Sequence, residues 1–241
     1  MQPMPNLKLS RKEVKQIIGS SKRQLGGESI ICKTDNPHTL YKIFRRKNKV
    51  IEMKDNKFQK LKRLHELSLE HSVYPLRTLS QNGMLIGYEM TYNPDDISFY
   101  PSTYPKDLRL KFLRETKEIL EYFARNNLVF GDVAYRNILY NRKTEEFKFC
   151  DMDNVQLEGM PIDLIGNTTS LSTYANSCGI TSKADAYVHN IMALDTLGIE
   201  YPFYDDEDID YYFESPASII VDSMDIPQTF QGEYLVKYLK K

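Results

Sequence analysis

Residues 130–154 read FGDVAYRNILYNRKTEEFKFCDMDN. The middle of this stretch has the form of a hairpin: ILYN and FKFC flank the polar turn RKTEE. Asp132 and Asn137 stand in the loop before the first strand, and Asp151 follows the second. A hairpin returns its end close to its start, so the spacing is expected to gather two carboxylates and a carboxamide at one rim. Hard oxygen ligands of this kind suit Mg²⁺, which keeps several waters and shares its shell with substrate phosphates. Phosphate oxygens also need a cation. Lys42 is placed for that task, mid-strand among Leu40, Ile43 and Phe44.

On the N-terminal side, residues 27–44 read as another hairpin. GESIICKT and TLYKIF are strand-like, and DNPH supplies the turn. From Val50 to Leu69 the apolar residues Ile51, Phe58, Leu61, Leu64 and Leu67 approach helical spacing. Residues 73–79 and 84–91 form a second strand pair around Asn82-Gly83, the strongest short-range hairpin signal. The stretch Tyr92 to Pro105 holds three prolines and little periodicity, which marks a boundary. Beyond it, Lys106 to Asn126 is amphipathic, with Leu110, Leu113, Ile119, Leu120 and Phe123 on one side. Residues 183–197 return to helix, and Tyr234 to Lys240 fits one more. The chain therefore reads as α+β, with strands and one helix in residues 1–92 and mainly helix in residues 93–241.

Bulk properties narrow the function classes. A chain of 241 residues with 41% hydrophobic and 27% charged residues is expected to fold as a soluble protein. A net charge of −1 gives no field toward nucleic acid or an anionic membrane. The basic stretch SRKEVKQIIGSSKRQL, residues 10–25, superficially resembles the start of a helix-turn-helix, but one short basic segment does not make a nucleic-acid interface. The three cysteines, Cys32, Cys150 and Cys178, lack zinc spacing and fit a reducing cytoplasm. The opening MQPMPNLKLSRK has no apolar run of the secretory kind, and no stretch reaches membrane-spanning length.

The 130–154 block resembles the catalytic loop and metal-binding segment of the protein-kinase-like superfamily, in which H-x-D, four residues, Asn, a hairpin and a metal Asp follow one another. The resemblance spans roughly residues 15–200 and is specific only in that block. It implies a two-lobed fold: a small, mainly antiparallel β N-lobe with one long helix in residues 1–92, and a mainly helical C-lobe in residues 93–241. It implies ATP and Mg²⁺ as cofactors and phosphoryl transfer to a hydroxyl of a protein or small molecule. Asp132 would be the catalytic base, and Arg136 would place positive charge near the transferring group. Asn137 and Asp151 would hold Mg²⁺. Lys42 resembles the ATP-binding lysine of V-A-I-K. Gly26 and Gly27 would bring backbone amides to the phosphates, and Glu89, Met90 and Tyr92 would form the adenine hinge. Asp185 resembles the Asp that opens the central C-lobe helix and braces the catalytic loop.

The departures carry information too. Phe130 and Gly131 stand where His and Arg are usual, so no phosphorylation-reading switch is expected. DMDN replaces D-F-G, a feature similar to small-molecule and bacterial kinase-like proteins, and Asp153 is either a second-sphere group or a solvated turn residue. One of Glu52, Asp55 and Glu66 is expected to pair with Lys42. The reduced glycine loop leaves an alternative function: a nucleotide-binding pseudokinase scaffold with little or no catalysis.

Overall fold

The structure, a computed structural model, describes residues 4–20, 24–25, 29–45, 51–52, 56–157, 160 and 182–197. The fold is α+β, with a mixed sheet and four α-helices among the described residues. Two compact units are formed: Met1–Ile97 with Leu139–Asp153, and Ser98–Ile138 with Asn154–Lys241.

In the first unit, the strands β1 (Asn6–Lys8), β2 (Gln24–Leu25), β3 (Ser29–Lys33), β4 (Thr39–Phe44), β5 (Ile51–Glu52), β6 (Pro75–Gln81) and β7 (Met84–Thr91) make one sheet. Its order is β1-β6-β7-β4-β3-β2, with β5 also paired to β7. Only the β1–β6 pair is parallel among these ladders. The β6–β7 turn carries Asn82 and Gly83 at φ +51° and +78°, the left-handed pair that a tight hairpin needs.

Side-chain alternation gives the sheet two apolar faces. Ile43 and Leu79 pack with Val14, Ile17 and Ile18 of helix α1 (Arg11–Ser20). Phe44 and Tyr88 pack with Phe58 and Leu61 of helix α2 (Asn56–Leu67). Lys42, two residues before Phe44, shares the α2 face. Helix α1 opens with a reciprocal cap: Glu13 N–H donates to Ser10 Oγ at 3.2 Å, and Ser10 N–H to Glu13 Oε2 at 2.7 Å.

Two sequence expectations are corrected here. Residues 1–92 hold two helices, α1 and α2, where one was expected. The helical reading from Val50 fails at its start, because Ile51 and Glu52 pair with Leu85 and Met84 as β5 and the helix begins only at Asn56. A lone apolar residue such as Ile51 fits either period, and the open edge of β7 captured it.

A smaller sheet of order β11-β10-β8 joins β10 (Ile138–Asn141), β11 (Phe147–Phe149) and β8 (Asp96–Ser98). Asn141 Oδ1 accepts the N–H groups of Lys143 and Thr144 at 2.9 and 3.1 Å, which closes the hairpin turn.

In the second unit, helix α3 (Lys106–Arg125) buries Phe112, Leu113, Thr116, Ile119, Leu120 and Phe123 and exits through left-handed Asn127 at φ +56°. Its partner is helix α4 (Ser182–Leu197); Arg109 Nη1 donates to Thr196 O at 3.0 Å, and Thr116 Oγ1 lies 2.9 Å from His189 Nε2. Strands β9 (Leu128–Val129) and β12 (Gln156–Leu157) pair antiparallel. No helix among the described residues is long and apolar enough to cross a membrane. Gly26, Gly27, Asp55 and the stretch 234–240 lie outside the described residues.

Candidate functional site

In the first unit, the β4 strand delivers Lys42 to a buried charge cluster. Its Nζ forms ion pairs with Asp151 Oδ1 and Asp153 Oδ1, residues 109 and 111 positions away in sequence. The Lys42 side chain is only 8% exposed, and its ammonium lies 5.8 Å from the Tyr88 ring centroid. Asp153 is buried as well, yet its second oxygen holds Lys57 Nζ of α2 at 2.9 Å, and Tyr88 Oη donates to its first at 2.7 Å. Lys57 also lies 5.3 Å from the Phe44 ring centroid.

The electrostatics follow from this wiring. Burial alone would raise the Asp153 carboxyl, but Lys42 and Lys57 outweigh it and hold it well below the usual carboxylate range. Burial likewise pushes Lys42 toward neutrality, and Asp153 and Asp151 overcome it, so the lysine stays charged. Burial and then the Asp153 charge lift the Tyr88 phenol far above its ordinary value, which keeps it a donor. Asp151 differs from Asp153 in being 37% exposed. It adopts φ +66°, a left-handed conformation that Asp tolerates better than most residues.

Lys42 thus finds its anions in the DMDN segment. Of the acids expected to serve it, Glu66 faces Arg63 at 3.5 Å, while the Glu52 side chain and Asp55 lie outside the described residues. Lys57 and Tyr88 were not singled out from sequence. The available signal was the second acid two residues after Asp151.

The residues expected to form the adenine hinge take part in the sheet and its packing. Glu89 is buried and forms an ion pair across the ladder with Arg77. Met90 packs on the cluster of Met4, Leu61, Leu85 and Tyr88. Tyr92 N–H donates to His38 O at 2.8 Å.

The second unit contains the loop with Asp132, Arg136 and Asn137. Arg136 Nη2 donates to Asp132 Oδ1 and Oδ2 at 2.7 and 3.0 Å. Asn137, nearly buried in a 3-10 turn, donates Nδ2 to Asp132 O and Oδ2, both at 2.8 Å. That use of Nδ2 leaves Oδ1 as the amide atom suited to a hard cation. The loop is braced from α4. Asp185 accepts the N–H groups of Phe130 at 2.6 Å and Gly131 at 2.7 Å, as expected from the sequence. Tyr135 Oη donates to Asp195 Oδ2 at 2.8 Å and lies 2.7 Å from Thr196 Oγ1. Gly131 sits at φ +75°, which accounts for glycine there.

Among the described residues, no group of three or more His, Cys, Asp or Glu could by itself hold a metal. Asp151 and Asn137 belong to different units, and each offers an oxygen donor of the kind that Mg²⁺ takes. The chain matches no protein-family model, and no curated protein matches it.

Proposed function

We propose that this chain is a Mg-ATP-dependent phosphotransferase with a two-lobed protein-kinase-like fold, which passes the γ-phosphoryl group to a hydroxyl of a protein or small molecule. The observation that carries this reading is the ion pair between Lys42 and Asp151. The lysine and the acid that the resemblance assigns to phosphate and metal are joined although they lie far apart in sequence. Phosphoryl transfer needs positioning and charge neutralisation more than covalent chemistry. Lys42 would neutralise phosphate oxygens, Asp151 and Asn137 would hold Mg²⁺, and Asp132 would orient the acceptor hydroxyl. The braced loop between Phe130 and Asn137 supports a preorganised Asp132. The sparse cysteines, without zinc spacing in the sequence, support a cytoplasmic setting.

One observation favours the second reading, a nucleotide-binding scaffold with little catalysis: both Asp132 oxygens are engaged by Arg136, and one also by Asn137. Incubation with γ-labelled ATP and Mg²⁺ separates the two. The phosphotransferase reading expects label on protein or small molecule, loss of turnover in Asp132→Asn with Mg-ATP binding retained, and weakened metal-dependent binding in Asp151→Asn. Thermal stabilisation by Mg-ATP without ATP consumption selects the scaffold. Full activity in both variants rejects the site.

A further inference from the structure

Helix α2 brings a cation to the cluster. Its first turn holds no acidic residue and does hold Lys57, at the end where the helix macrodipole disfavours positive charge. A sequence that breaks a local rule at a largely covered position points to a task elsewhere. Here the task is visible: Lys57 Nζ rests 2.9 Å from Asp153 Oδ2 with its side chain 13% exposed. Asp153 meanwhile gives Oδ1 to Lys42 and to the Tyr88 hydroxyl. With both oxygens committed and 2% of the side chain exposed, Asp153 is poorly placed to ligate a metal, a role that the more exposed Asp151 suits better.

We propose that Asp153 is a positioning residue and Lys57 a second phosphate-binding cation: a strand lysine and a helix lysine, held as a pair by one buried carboxylate, take the phosphates of the nucleotide. This rests on the Mg-ATP reading above. Ammonium groups bound to the two oxygens of one carboxylate lie within reach of neighbouring phosphoryl groups. The carboxylate faces both ammonium groups in a largely dry environment, where each contact to an anion is stronger than in water. The role that a helix glutamate was expected to fill, tying strand lysine to helix, passes to Asp153, with the helix supplying the opposite charge.

Calorimetric titration of the full chain with Mg-ATP and with adenosine tests this. Lys57→Met should weaken Mg-ATP by about tenfold or more, the loss expected for one charge-assisted contact, and leave adenosine unchanged. Lys57→Arg should recover most of the loss. Asp153→Asn should weaken Mg-ATP at least as much, again sparing adenosine. Lys57→Met keeps the Lys42 pair intact, so it provides the folded variant if Asp153→Asn melts early. Wild-type affinity for Mg-ATP in Lys57→Met overturns the proposal alone. Equal weakening of Mg-ATP and adenosine overturns it too, since that marks a merely structural lysine. A wild-type chain that binds no Mg-ATP overturns both this proposal and the phosphotransferase reading.

Discussion

Asp185 Oδ1 accepts the backbone N–H of Gly131 at 2.7 Å, across 54 residues of chain. Its other oxygen takes Phe130 N–H, so one buried side chain satisfies two consecutive donors at the entrance of the Asp132 loop. Asp185→Ala strands both, and an unsatisfied buried N–H is expensive. The variant should lose about 3 kcal/mol of stability. Urea unfolding measures it, and a loss below ~1 kcal/mol would mean that the loop does not depend on this brace.

The same helix sets a pH response. Burial pushes the Asp185 carboxyl up to about 7, against the two N–H bonds from Gly131 and Phe130. A raised folded value means that Asp185 contributes stability fully below its ordinary 3.8 and loses it as pH climbs through 7. Burial moves His189, one turn along α4, down to about 4, so its contribution is complete above 6.5 and is lost as pH falls. The two slopes oppose each other in the wild type. Asp185→Asn should therefore leave stability rising from pH 4 to 6.5, and His189→Gln should leave it falling from pH 4 to 7. Unfolding curves at stepped pH decide, and parallel profiles in the two variants would reject the assignment.

Gly87 lies in β7 opposite Ile43, and a Cβ there would fall on the carbonyl oxygen of Lys42. Backbone cannot move aside cheaply in a ladder. Gly87→Ala should cost about 2 kcal/mol or more and displace the strand that presents Lys42. Denaturant titration should show a lower midpoint with an unchanged slope.

Arg136 and Asp132 form an exposed pair at the (i, i+4) interval, and such pairs add little to stability. Arg136→Ala should leave the unfolding free energy within about 0.5 kcal/mol of wild type. Turnover, on the phosphotransferase reading, should fall by about tenfold or more through loss of positive charge at the reacting centre. A stability loss without an activity loss would reverse the assignment.

Local chemistry made much of the fold legible. Asn82-Gly83 announced its hairpin because few residues accept two successive positive φ values. Most of the apolar stripe of α3 was readable: Leu113, Ile119, Leu120 and Phe123 are buried at a helical period, whereas Leu110 is half-buried and Phe112 and Thr116 did not stand out. Strand β1 was not legible: three residues pairing in parallel with β6, about seventy positions away, leave no local pattern. Helix α1 stands out in the sequence as a basic stretch similar to a helix-turn-helix start, although Ser10 and Glu13 carry its cap signal. Among the expected functional residues, Lys42, Asp132, Asn137 and Asp151 stood out by residue type and spacing. Lys57 did not, because its partner lies almost a hundred residues away and only the folded chain reveals that Asp153 is buried.

The cluster of Lys42, Lys57, Asp151 and Asp153 balances its own charge: two ammonium groups against two carboxylates. Such a cluster behaves as an ion exchanger. A bare polyanion that claims a lysine leaves a carboxylate without its counter-charge, so it is admitted at a penalty. A polyphosphate that arrives with a divalent cation trades partners evenly, metal to carboxylate and phosphate to ammonium. On the proposed reading, affinity for the nucleotide should rise steeply with Mg²⁺, and the preference for the metal complex would follow from the charge balance of the cluster itself.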